Sequence, residues 1–80
     1  MKINVLAFGF AADVIGERKF ILDLQPNTST GELQLLLEEK YSRLKDVLKY
    51  SIAVNQSYIS TSVILQENDE VAIIPPVSGG

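Results

Sequence analysis

The sequence predicts an α+β domain in which one main helix packs on a mixed β-sheet. Three observations predict it. Residues 2–8 and 17–24 alternate side chains with the two-residue period of a strand, one segment from Ser29 carries leucines at helical spacing, and the second half breaks into short apolar pieces divided by turn residues. Eighty residues supply one hydrophobic core and not two, so residues 1–80 are expected to form one domain with a flexible tail over 75–80.

In the first strand, KINVLAF, Ile3, Val5 and Ala7 share one face and Leu6 and Phe8 the other. Gly9 to Gly16 reads as a loop of small residues. In ERKFILDL, Phe20, Leu22 and Leu24 fall on one side and Lys19, Ile21 and Asp23 on the other. The two segments are expected to pair as an antiparallel hairpin, although eight residues is long for its connection.

Pro26 and Asn27 end that pattern. Ser29-Thr30-Gly31-Glu32 then fits a capping box, in which the Ser29 hydroxyl accepts from a first-turn amide and Glu32 reaches back to the Ser29 amide. Leu33, Leu36, Leu37, Tyr41 and Leu44 follow as a core-facing stripe, with Leu35 off it. Residues 42–49 fit either a continuation of this helix or a second short one. SIAVNQSYIS reads as a hairpin turning at Asn55-Gln56-Ser57. After a polar turn at Glu67-Asn68-Asp69 comes a last strand from Glu70 to about Ile74, with Val71 and Ile73 inward and Ala72 and Ile74 outward.

Composition narrows the function. A net charge of −3, with seven basic residues scattered along the chain, does not suit a nucleic-acid or anionic-membrane partner. The chain has no His and no Cys, which rules out disulfides, thiol–zinc and His–metal sites, and Ser–His or Cys–His nucleophiles. It is therefore not expected to be an enzyme on its own. The apolar N-terminus superficially resembles a secretory signal, but Asn4 and Asp13 interrupt it and cleavage near Ala12 would remove a core strand. A cytoplasmic location is expected.

The ending, AIIPPVSGG, is the most informative stretch. Pro75 and Pro76 have no amide donor and a fixed φ, so they stop a sheet ladder and extend the chain. Val77 and Ser78 continue the extension, and the six residues from Pro75 span roughly 20 Å. Gly79 and Gly80 carry no Cβ and fit a channel too narrow for any side chain. The reactive group at the tip is the Gly80 carboxylate. It is a poor electrophile until activated, typically as an acyl-adenylate, and no phosphate-binding loop is present to activate it in this chain. A partner enzyme must do so.

DEVAIIPPVSGG, INVLAFGFAADVIG and AVNQSYIS together resemble the molybdopterin synthase small subunits, a family of ubiquitin-related sulfur carriers. The resemblance spans the whole chain. It implies a β-grasp (ubiquitin-like) fold with the first and last strands side by side at the centre of the sheet. It implies that an adenylyltransferase related to ubiquitin activators spends ATP to adenylate Gly80, that a sulfur donor system converts it to a thiocarboxylate, and that the tail, Gly79 included, enters the active site of the large synthase subunit. There sulfur passes to precursor Z to form the molybdopterin dithiolene, within a heterotetramer. No cofactor is expected on this chain itself.

The same resemblance assigns Phe8, Tyr58 and Ile74 to an apolar docking patch, with Pro75, Pro76, Val77 and Ser78 contacting the partner along the tail. Phe8 fits core packing equally well. The family often carries a basic residue in the first loop where this sequence has Ala11-Ala12-Asp13, which leaves that contact without its cation. Asp69 and Glu70 fit either a solvated turn or pairing with a partner's basic groups. Three other readings share the fold: a sulfur carrier for the thiamin thiazole, which is typically shorter and lacks the Pro-Pro; a protein modifier joining Gly80 to a lysine amine; and an interaction module with an inert tail.

Overall fold

The computed structural model describes residues 1–46 and 50–76. β1 (Lys2–Ala7) leads into α1 (Gly9–Ile15), β2 (Lys19–Asp23), α2 (Thr30–Lys40) and a 3₁₀ turn (Ser42–Asp46). β3 (Ser51–Val54), β4 (Ser57–Tyr58) and β5 (Glu70–Ile74) complete a five-stranded sheet in the order β2-β1-β5-β3-β4. β1 and β5 run parallel at its centre, with Val5 beside Val71 and Ala7 beside Ile73, and the other pairs are antiparallel. This is the ubiquitin-like β-grasp. Among the described residues no helix is long and apolar enough to cross a membrane.

The expected loop at Gly9–Gly16 is instead α1. Its first residue is glycine and its N-cap, Phe8, offers no side-chain acceptor, so the usual start signal is missing. Two features make it a helix. Ala11 and Ile15 lie one turn apart and are both buried. Gly16 closes it with φ 89°, a left-handed conformation suited to glycine, and its N–H donates to the Ala12 carbonyl at 2.8 Å. β1 and β2 pair antiparallel as expected, with a helix where a plain hairpin loop was expected.

The capping box of α2 forms. The Glu32 N–H donates to Ser29 Oγ at 3.1 Å, and the Ser29 N–H donates to Glu32 Oε1 at 3.0 Å. Ser62 adds a further acceptor, taking the Gly31 N–H at 3.0 Å, while buried Thr30 Oγ1 accepts from the Val63 N–H at 3.1 Å. The start of the helix is thus stitched to residues 62–65, whose Leu65 is buried. The helix stops near Lys40, and the chain tightens into the 3₁₀ turn that buries Leu44; residues 47–49 of the uncertain 42–49 segment lie outside the described residues.

Leu33 and Leu37 cover the sheet face made by Ile3, Val5, Val71 and Ile73, and Phe20, Leu22 and Leu24 pack at its margin. Leu36 departs from the expected stripe: it is 48% exposed and borders an open groove with Leu22 and Leu24 of the edge-strand segment. The Tyr50 hydroxyl donates to Glu38 at the far end of α2, and burial beside that carboxylate holds the phenol above the ordinary tyrosine range. β3 and β4 join through Asn55 (φ 51°) and Gln56 (φ 71°), the two positive φ values of a type I′ turn.

Asp69 is built into the turn before β5 and is not simply solvated. Its carboxylate accepts from the Gln66 N–H at 2.7 Å and from Asn55 Nδ2 at 2.9 Å, locking the turn to the β3–β4 hairpin. The packing predicts unequal costs along one helix. Leu33→Ala should lower unfolding stability by about 2–5 kcal/mol and Leu36→Ala by less than about 1 kcal/mol. Chemical denaturation of the two variants measures this, and equal losses would contradict the packing described.

Candidate functional site: the outlet of the last strand

β5 delivers the chain to one end of the sheet, and its neighbours set how it leaves. The Phe8 N–H donates to the Ile73 carbonyl at 3.1 Å, the last bond between the β1 and β5 sides before the prolines. Gly9 turns the chain into α1 with φ 53°, and a Cβ there would stand 3.5 Å from Pro75 Cγ. Pro75 is half-buried against this corner and Pro76 is exposed. Neither can donate to a neighbouring strand, so the ladder ends here. Val77, Ser78, Gly79 and Gly80 lie outside the described residues.

The sheet face opposite α2 has no covering layer among the described residues, and its apolar groups gather around this outlet. Register places Leu6, Ala72, Ala53 and Tyr58 side by side across four strands. Extending the parallel register by one residue sets Phe8 beside Ile74. Phe8 is 49% and Tyr58 69% exposed, while Ile74 is half-buried. Phe8 therefore does not pack in the core.

Ala72 points outward as expected, yet it is buried, as is Ala53 beside it. Both are small enough for larger neighbours to shield them. The result is a shallow apolar saddle, with two alanines as its floor and Leu6, Phe8, Ile74 and Tyr58 as its rim. The sequence reading missed Leu6 and the two alanines as part of this surface. Their outward alternation was the available signal, but the side-by-side placement depends on register between strands distant in sequence.

A groove of about 680 Å³ flanks the saddle, bounded in part by Leu6, Phe8, Asp13, Arg18 and Lys19. It brings cations near the position where the first loop lacks one. Ala11 is fully buried in α1, so a long basic side chain there would disrupt packing. The cations at this end come from β2 and the residue before it.

The sequence matches the ThiS family over residues 5–80. The chain belongs to the ThiS family. A relative from Mycobacterium tuberculosis, named molybdopterin synthase sulfur carrier subunit, is 39% identical over 82 positions, covering 100% of this chain and 99% of the relative. This ThiS-family chain is also similar to one in the solved protein–protein complex of subunits 1 and 2 of the Helicobacter pylori molybdopterin-converting factor. That similarity is 28% identity over the whole of both chains, with a TM-score of 0.72. The solution structure of small archaeal modifier protein 1 from Methanosarcina acetivorans superposes with a TM-score of 0.80 at 26% identity, covering 99% of this chain and 96% of that one.

The corner at Gly9 yields a stability prediction. Gly9→Ala should cost about 1 kcal/mol, from the positive φ rather than from crowding, because the new Cβ meets Pro75 at ordinary contact distance. Denaturation should show that loss with the Phe8 amide still protected from exchange; loss of that protection would mean the corner needs more than glycine's backbone freedom.

Proposed function

We propose that this chain is the sulfur carrier subunit of a molybdopterin synthase. The observation that carries the reading is the full-length similarity to relatives of that name, with the family match running through to Gly80. The outlet of β5 beside an exposed apolar saddle supports it. A carrier must present its terminus and a docking surface to the same partner.

The chemistry assigned to Gly80 balances in three steps. An ATP-dependent adenylyltransferase joins the Gly80 carboxylate to AMP, releasing pyrophosphate. The outer sulfur of a persulfide on the donor system adds to the activated carbonyl and expels AMP; a thiol then cleaves the resulting acyl disulfide, leaving the thiocarboxylate and a disulfide on the donor. Its sulfur then attacks a carbon of the precursor in the large subunit's active site and displaces an oxygen substituent there; water hydrolyses the acyl–sulfur bond, returning the carboxylate and leaving one of the two dithiolene sulfurs on the product. The chain's part is to place this carbonyl and not to move protons, consistent with its lack of His and Cys. The paired glycines 79 and 80 carry no side chain to block entry to a narrow channel, and Pro75, Pro76, Val77 and Ser78 contact the partner. Phe8, Tyr58 and Ile74 form the docking contact. ATP is a co-substrate of the activating partner, and a cytoplasmic setting suits its supply.

A second reading has a specific observation in its favour. The likeness to the archaeal modifier protein suits attack on the same adenylate by a lysine amine, giving an isopeptide. The two readings diverge in product. Deleting Gly80 should abolish dithiolene formation in a reaction reconstituted with the large subunit, while unfolding stability stays within about 0.5 kcal/mol. Tyr58→Asp should weaken large-subunit binding by tenfold or more with similar stability, since it places a charge in an apolar contact. A truncated chain that still supports dithiolene formation would overturn the carrier reading, and isopeptide conjugates formed without any thiocarboxylate would favour the modifier.

A further inference from the structure

The two edges of the sheet differ. β4 ends one side after two residues and presents little ladder to a newcomer. β2, on the other side, is five residues long. The direction of its backbone groups follows from the bonds at its ends. The Ala7 N–H donates to the Arg18 carbonyl at 2.9 Å, and the Leu24 N–H to the Met1 carbonyl at 2.7 Å. Even-numbered residues from 18 to 24 therefore turn their backbone groups toward β1, and Lys19, Ile21 and Asp23 turn theirs outward. Among the described residues no hydrogen bond reaches those outward groups.

We propose that β2 is a self-association edge: two copies pair antiparallel about a two-fold axis at Ile21, with Lys19 of each copy opposite Asp23 of the other. Two five-stranded sheets become one. The occupant is a second copy because the edge is complementary to itself. Lone charges on an edge strand normally discourage pairing, but here opposite charges sit symmetrically about one β-branched residue. Asp23 Oδ1 already meets the Met1 ammonium at 3.3 Å, which leaves Oδ2 for the lysine. Ile21, 64% exposed, faces its own copy.

The register is specified against its neighbours. A two-residue slip one way sets Asp23 against Glu17, and the other way sets Ile21 against Asp23 and Lys19 against Gln25. A one-residue slip exchanges the two faces of the incoming strand. On the helix side, Leu22, Leu24, Leu36 and Leu37 border an open groove of about 400 Å³. The two-fold pairing sets Phe20 of one copy across from Leu22 of the other, and it carries this apolar strip over the seam. The half-exposed Leu36 then gains cover. The saddle reaches this edge only at Leu6, which lies beside Lys19, and the inference rests on the edge's own backbone groups and charges rather than on the carrier function.

The interface is small, and a dissociation constant on the order of 100 µM is expected. Sedimentation equilibrium of the full chain from about 10 µM to about 1 mM should show a monomer–dimer equilibrium. Lys19→Glu and Asp23→Lys should each raise the dissociation constant about tenfold or more by setting like charges opposite each other. An equimolar mixture of the two variants should dimerise again, because each variant then meets its opposite charge at both positions. Amide exchange at Lys19, Ile21 and Asp23 should slow as the wild-type concentration rises. A wild-type chain that stays monomeric at the highest concentration would overturn the proposal. So would reversals without effect, a mixture no better than either variant, or concentration-dependent protection confined to other strands.

Discussion

The parallel pairing of β1 with β5 is the constraint on which the rest of the molecule depends. Parallel neighbours cannot be joined by a tight turn, so everything between them must travel around the sheet and return. α1 and α2 supply much of that path, and α2 covers the face that Val5, Val71 and Ile73 turn toward it. The same pairing brings the last strand out beside Phe8 and Gly9, residues from the opposite end of the chain. The apolar saddle and the end of the sheet ladder at Pro75 are therefore set by one register.

Side-chain size divides the work of the two sheet faces. The helix-facing side carries Ile, Val and Leu, whose burial contributes roughly 1.5–3 kcal/mol each. The opposite side keeps alanine at the central positions 53 and 72 and places larger apolar groups around them. Small residues there leave a shallow, well-defined recess at little cost to the core behind it. The face is ordered by its backbone ladder rather than by a packed layer, so it can remain open for another protein.

What the sequence revealed and what it concealed follow one physical division. Local signals were legible: the Ser29–Glu32 box, the alternation in β1 and β2, the turn at Asn55-Gln56 and the stop at Pro75. Each depends on neighbours within a few residues. α1 was concealed because seven residues with a glycine at the start form a helix only when tertiary burial of Ala11 and Ile15 supports them. Leu36 lies on the helical stripe, but its burial depends on what packs beneath it, and there it borders an open groove with Leu22 and Leu24. Pro75 and Pro76 were legible as the end of the ladder, whereas the saddle beside them required register across four strands. The pairing of first and last strands came from family resemblance, since periodicity carries no information about which strands are neighbours.

In the proposed function the Gly80 carboxylate is activated by one partner and discharged by another. Intact mass measurement of the protein purified from cells, with fragmentation of the C-terminal peptide, tests this directly. Replacement of one oxygen by sulfur, localised to Gly80, is the predicted result. A plain carboxylate that persists when the protein is co-expressed with an activating enzyme and a sulfur donor would contradict it.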